Sequence, residues 1–214
     1  MKDLVVLAAD KNIEHTLKGL LARPQSLGIQ PIEADIFIEP EHDPACALRG
    51  VSFLANFSKE YKFALLVFDH QGSGKESVEA HELQKGINAE FANSTWGGER
   101  ARAVVLAPEL ETWVWSDSPH VDEIAGWKDR QPGLRPWLSE QGWLQEGQVK
   151  PAHPKEAFEA ALRKAQIPRS SSLYRQIAEK VSLEKCTDKI FRDFREILQN
   201  WFQGEDRHGR VQDR

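Results

Sequence analysis

The chain alternates between short apolar runs and longer segments with helical spacing. Leu4 to Ala9, Phe63 to Phe68 and Ala103 to Leu106 are continuously apolar, as expected of parallel strands covered on both faces. Pro31 to Glu39 alternates instead. Ile32, Ala34, Ile36 and Ile38 fall on one face, with Glu33, Asp35 and Glu39 on the other, which predicts a half-exposed edge strand. Asp10 to Ala22 places Ile13, Leu17, Leu20 and Leu21 at helical spacing, with Pro24 ending the helix. Pro44 suits the first turn of a helix reaching about Tyr61, with Cys46, Val51, Leu54 and Phe57 as its stripe. Glu76 to Phe91 reads as a polar helix, and Pro108 opens a short one through Trp115. This β-α alternation predicts a three-layer α/β domain over residues 1–117, with a mostly parallel four-stranded sheet.

The alternation stops near Asp117. Ser118 to Lys150 is a connection carrying Trp127, Trp137 and Trp143, expected to pack down on the domain. Pro154 to Gln166 and Ser172 to Lys180 are amphipathic, and Thr187 is the expected cap of a third helix with Ile190, Phe191, Phe194, Ile197, Leu198, Trp201 and Phe202 inward. Residues 118–203 therefore form a helical extension, and 204–214 a flexible polar tail.

Composition narrows the function classes. The 214 residues are 40% hydrophobic and 29% charged, with a formal net charge of −5 and no long basic run. A chain-wide electrostatic grip on nucleic acid is not indicated, though a local patch can still bind one. Cys46 and Cys186 form no metal-ligand spacing. The quickly polar N-terminus and the lack of a long apolar run predict a cytoplasmic protein without membrane contact.

The chemistry-bearing positions sit at strand ends, where open α/β sheets bind their ligands. Asp10 and Glu14 follow the first strand, Asp69 ends the third, and Glu109 and Glu111 follow the fourth. Hard cations such as Mg²⁺ or Mn²⁺ take carboxylate oxygens and water. Asp10, Glu14, Asp69 and Glu111 are the candidate metal ligands, with His70, Gln71, Lys75 and Glu109 nearby. Each acid also has a plain use as a helix cap or first-turn residue. Gly72-Ser73-Gly74-Lys75 imitates a phosphate-binding loop but lacks the required earlier glycine and the following Ser or Thr; those positions hold Asp69 and Glu76. It reads as a glycine turn. The tryptophans could stack bases, but aromatics more often seal a core.

With these residues in place, the chain resembles the Toprim-like proteins, in particular the small DUF4276 kind found in bacterial methylation-associated phage defence systems. Asp10-Lys11-Asn12-Ile13-Glu14 resembles that group's Glu-Gly-x-x-Glu, and Pro108-Glu109-Leu110-Glu111-Thr112-Trp113 its Pro-x-x-Glu-x-Trp. Pro154-Lys155-Glu156 and the Phe-rich last helix are also similar. Two positions depart: Asp10 stands for a glutamate, and Asp69-His70-Gln71 has an amide where Asp-x-Asp has its second acid. The resemblance implies a component of an antiviral defence system with a divalent-metal site for nucleic-acid cleavage or phosphoryl transfer, partnered by other proteins of the system and by DNA or RNA. The alternative is a catalytically inactive sensor or adaptor subunit. Its candidate contact surfaces are then Trp127 to Trp143 and the helix from Phe191 to Phe202.

Overall fold

The computed structural model describes residues 1–184 and 186–203; the expected tail over 204–214 lies outside them. Four strands, β1 (Lys2–Ala8), β2 (Ala34–Ile38), β3 (Tyr61–Asp69) and β4 (Ala101–Leu106), form one sheet in the order β2-β1-β3-β4. All three pairings are parallel. Of the three continuously apolar strands, β1 and β3 are central and β4 is an edge; the alternating β2 is the other edge, as its pattern predicts. Strand order reverses between β1 and β3, which opens a crevice at their carboxyl ends.

Helices cover both faces. Between the strands run α1 (Lys11–Leu21), α2 (Pro24–Leu27), α3 (His42–Ala55), α4 (Ala80–Ala92) and α5 (Gly97–Arg100). After the sheet come α6 (Glu111–Val114), α7 (Pro119–Ile124), α8 (Leu134–Glu140), α9 (Pro154–Ala165), α10 (Ser171–Lys180) and α11 (Lys189–Phe202). Successive strand residues point to opposite faces. On β3, Leu66 lies against Gly50 of α3, whereas Phe63 stacks on Trp201 of α11 with ring centroids 4.8 Å apart. Helix α10 packs against α1, with Gly19 of α1 set directly against the α10 backbone.

Several boundaries differ from expectation for identifiable reasons. Pro24 opens the short α2 rather than only ending α1, since its fixed φ suits a first helical turn. Helix α3 stops at Ala55, and Tyr61 instead starts β3, where its hydroxyl donates to Asp35. Helix α4 begins at Ala80 rather than Glu76. The Glu76 carboxylate is occupied by the Gly72 and Gly74 N–H groups, which holds that stretch as a turn. The cap of α11 is Asp188, not Thr187: the Asp188 carboxylate accepts from Phe191 N at 3.0 Å.

The tryptophans are structural. Trp115, Trp127 and Trp113 donate their indole N–H to Pro154 O, Ala161 O and Asp188 Oδ1, which joins the connection to α9 and the approach to α11. Much of the apolar surface of the two expected contact stretches is taken up inside the chain. Trp127, Phe191, Phe194, Leu198 and Phe202 are buried within the chain, and among the described residues the exposed large apolar side chains, such as Phe37, Leu48 and Val78, lie in neither stretch.

Candidate metal centre

The site begins with backbone register. Leu106 of β4 pairs with Asp69 of β3, and the two chains stay together beyond the sheet. His70 N donates to Leu106 O at 2.7 Å, and Gln71 N to Pro108 O at 2.9 Å. The segment after β4 is thus laid along the segment after β3, which carries Glu109 and Glu111 to Asp69. These three carboxylates each offer an oxygen within 4.8 Å of the others. Asp69 is 9% exposed, Glu109 3% and Glu111 2%. Buried acids at this density are expensive unless they are neutralised or paired.

Each acid is also anchored by the protein. Asp69 Oδ1 accepts from Leu110 N at 2.9 Å, just ahead of α6. Glu109 Oε1 accepts from Lys155 N at 3.0 Å in the first turn of α9, and its Oε2 lies 3.9 Å from Lys155 Nζ. Glu111 Oε1 accepts from the Tyr174 hydroxyl at 2.5 Å. Asp69 N donates to Asp43 Oδ1 at 2.8 Å, so α3 supplies a further acid at the rim.

The electrostatics follow from this crowding. Burial, followed by the charges of Asp43, Glu111 and Asp10, pushes the Asp69 carboxyl well above the usual range, against the single Leu110 donor. Burial also raises Glu111, outweighing the Tyr174 hydrogen bond. Glu109 is raised by burial and then by Glu111, and Asp43 by burial against its bond from Asp69 N. Lys155 feels the opposite field: burial disfavours its charge, but Glu111, Glu109 and Asp69 together hold it above its ordinary value.

The other sequence candidates are placed as follows. With Ala8 opposite Val67 and Ala9 N bonded to Val67 O, Asp10 leaves β1 beside the end of β3. Its carboxylate caps α1 through Ile13 N at 2.8 Å, and its charge reaches Asp69. Glu14 pairs with Lys18 one turn along α1 at 2.7 Å. Neither belongs to the 4.8 Å cluster, whereas Glu109, named only as a neighbour, does. The His70 ring meets Val78 O at 2.8 Å. Gln71 and Lys75 lie on the exposed turn that follows.

Sequence reasoning missed Asp43, Lys155 and Tyr174. Asp43 had a readable signal: it follows the second strand, which completes a set of acids after all four. Tyr174 had none in its spacing, since its place in the α10 stripe looks like any core aromatic; only the resemblance of the segment from Arg169 to Tyr174 pointed to it. The Tyr174→Phe variant is expected to lose about 1–3 kcal/mol, because a buried carboxylate is left without its donor while the ring still packs. Chemical denaturation checks this; a stability unchanged from wild type would show that the hydrogen bond carries nothing.

Among the described residues, no helix is long and apolar enough to cross a membrane. Comparison of the chain with protein-family models, curated proteins and solved structures returned no match.

Proposed function

We propose that this chain holds a divalent cation, Mg²⁺ or Mn²⁺, on Asp69, Glu109 and Glu111, and acts on a phosphoryl group in nucleic-acid cleavage or phosphoryl transfer as part of a bacterial antiviral defence system. The observation that carries this reading is the convergence of three buried carboxylates at the carboxyl ends of β3 and β4. The donor set fits the group: all three ligands are hard oxygens, and their mutual repulsion is relieved by a cation. When bound, such a cation would polarise a phosphoryl oxygen and lower the pKa of a bound water.

The residues around it have separable tasks. Tyr174 orients Glu111, and the Leu110 N–H orients Asp69. Lys155, on the extension, lies against Glu109 and offers a positive charge beside the acids. Asp10 and Asp43 add negative charge at the rim.

A second reading is a metal-free structural cluster inside an adaptor or sensor subunit. It is favoured by Gln71, which replaces an acid, and by the fact that each of the three acids already accepts a hydrogen bond from the protein.

Calorimetric titration with Mn²⁺ separates the two. Wild type is expected to bind one ion, and Glu111→Gln to bind at least about tenfold more weakly, a loss of about 1.4 kcal/mol. No binding heat in the wild-type protein would overturn the metal reading. It would leave the metal-free adaptor; metal binding with no cleavage of DNA or RNA would remove the catalytic role and keep only the metal centre.

A further inference from the structure

The turn between β3 and α4 holds an anion of its own. Gly72 N and Gly74 N donate to Glu76 Oε1 at 2.7 and 3.2 Å. The backbone N–H of Glu76 itself, then those of Gly72 and Gly74, hold its carboxyl below the usual range. Gly72 and Gly74 have φ of +89° and +71°, a backbone that L side chains rarely adopt and that turns successive N–H groups toward one point. Such concavities bind anions.

Three features indicate that the concavity is preformed. Ser73 is buried, donates its hydroxyl to His70 O at 2.7 Å and accepts from Lys75 N at 3.2 Å. The His70 ring meets Val78 O, closing the loop from its far side. Both the His70 and Gln71 N–H groups are tied to the β4 segment. None of these bonds involves the Glu76 side chain, which is exposed. A dissolved anion can therefore reach the same donors without unfolding anything.

The concavity also borders the carboxylates. A Cβ on Gly72 would lie 4.0 Å from Asp43 Oδ2, and the other oxygen of Asp43 accepts from Asp69 N. The glycine turn thus lies beside Asp43, at the rim of the acids.

We propose that the Gly72–Glu76 turn is an oxyanion site whose resident ligand is the Glu76 carboxylate, and that a phosphate group displaces it. The naming of phosphate rests on the phosphoryl-handling reading above; the anion-binding property of the turn does not. Without metal, displacement is opposed by Asp43 and by the tethered carboxylate, so the wild-type protein binds free phosphate weakly.

The test follows the Gly72 and Gly74 amide resonances by ¹⁵N NMR during titration with inorganic phosphate in metal-free buffer. Glu76→Ala is expected to saturate at phosphate concentrations at least about tenfold lower than wild type, a gain of about 1.4 kcal/mol. Glu76→Gln guards against a collapsed loop, because it keeps the length and the acceptor oxygen but not the charge; it is expected to fall between the two. Amides that ignore phosphate in both variants would overturn the proposal, as would equal responses in all three proteins. The outcomes stay separable from the metal reading. Glycine shifts without Mn²⁺ binding would remove only the metal centre, and Mn²⁺ binding without glycine shifts would remove only the oxyanion site.

Discussion

Replacing Asp69 by Asn is expected to leave the metal-free protein as stable as wild type or more so, and to abolish most of its response to Mg²⁺ or Mn²⁺. The amide oxygen of Asn can still accept from Leu110 N, so the local hydrogen bond survives. The charge that meets Asp43, Glu111 and Asp10 is gone. A cation at 100-fold excess over its Kd stabilises the folded state by about 2.7 kcal/mol. For a chain of this size that is roughly 5–10 °C in Tm. Thermal melts of both proteins with and without metal measure the difference. If the carboxylate serves only to accept from Leu110, metal will move neither melting curve and the substitution will be nearly neutral.

The same pair of proteins has a pH signature. The folded-state pKa of Asp69 is raised above its unfolded value near 3.8. Its contribution is therefore most favourable below that value and is lost as pH rises through the folded pKa. Other carboxyls in the chain are shifted the opposite way, Asp3 and Asp35 among them, so absolute melting curves mix the two effects. The difference between wild type and Asp69→Asn isolates one group. Without metal, wild type should lose ground to the variant as pH rises from about 4 toward neutral. In saturating Mg²⁺ the difference should turn in favour of wild type, since the ionised form is the one the cation holds.

The second large effect lies far from the acids. Gly19→Ala is expected to destabilise the protein by about 1–3 kcal/mol, against the usual sign. In an ordinary helix interior, Ala is favoured over Gly by about 1 kcal/mol. Here the added Cβ would stand 2.7 Å from Arg175 O and 2.8 Å from Ala178 Cβ. The first of those atoms is backbone and cannot rotate away, so α10 must move. Helix α10 also carries Tyr174, the donor to Glu111. The variant should therefore weaken metal binding as well as stability, although Gly19 touches none of the acids. Denaturant melts combined with Mn²⁺ titration check both halves. A Gly19→Ala protein more stable than wild type would mean that the helices are not closely packed at this point.

These two sites mark the limits of what the sequence discloses. The uninterrupted runs at Leu4, Phe63 and Ala103 identify strands covered on both faces of a parallel sheet, the last of them at its edge. The alternation from Ile32 to Ile38 identifies the edge. The acids after β3 and β4 were legible because strand ends converge in this class of sheet, whatever the details of packing. Gly19 was not legible, since a glycine inside a helical stripe looks the same whether or not a neighbour presses on it. Lys155 and Tyr174 reach the site from the extension, and no local pattern records where a distant helix docks. Glu76 was legible only as an acid that spoils a phosphate loop. Its side chain folds back onto the loop's own N–H groups, an interaction that spacing alone does not specify. Glu14 has the right spacing from Asp10, yet Lys18, a further four residues on, engages it instead.

The reliance of the acids on the extension also sets an order of events during synthesis. Glu109 and its Lys155 donor are 46 residues apart, and Glu111 and Tyr174 are 63 apart. At the usual rate of about 5–20 residues per second, a ribosome that has finished Glu111 needs roughly 3–13 s more to make Tyr174. Through that interval all four strands have been made, while the carboxylates at their ends lack the helices that orient and neutralise them. The nascent chain thus passes through a stage in which these carboxylates await the residues that orient them.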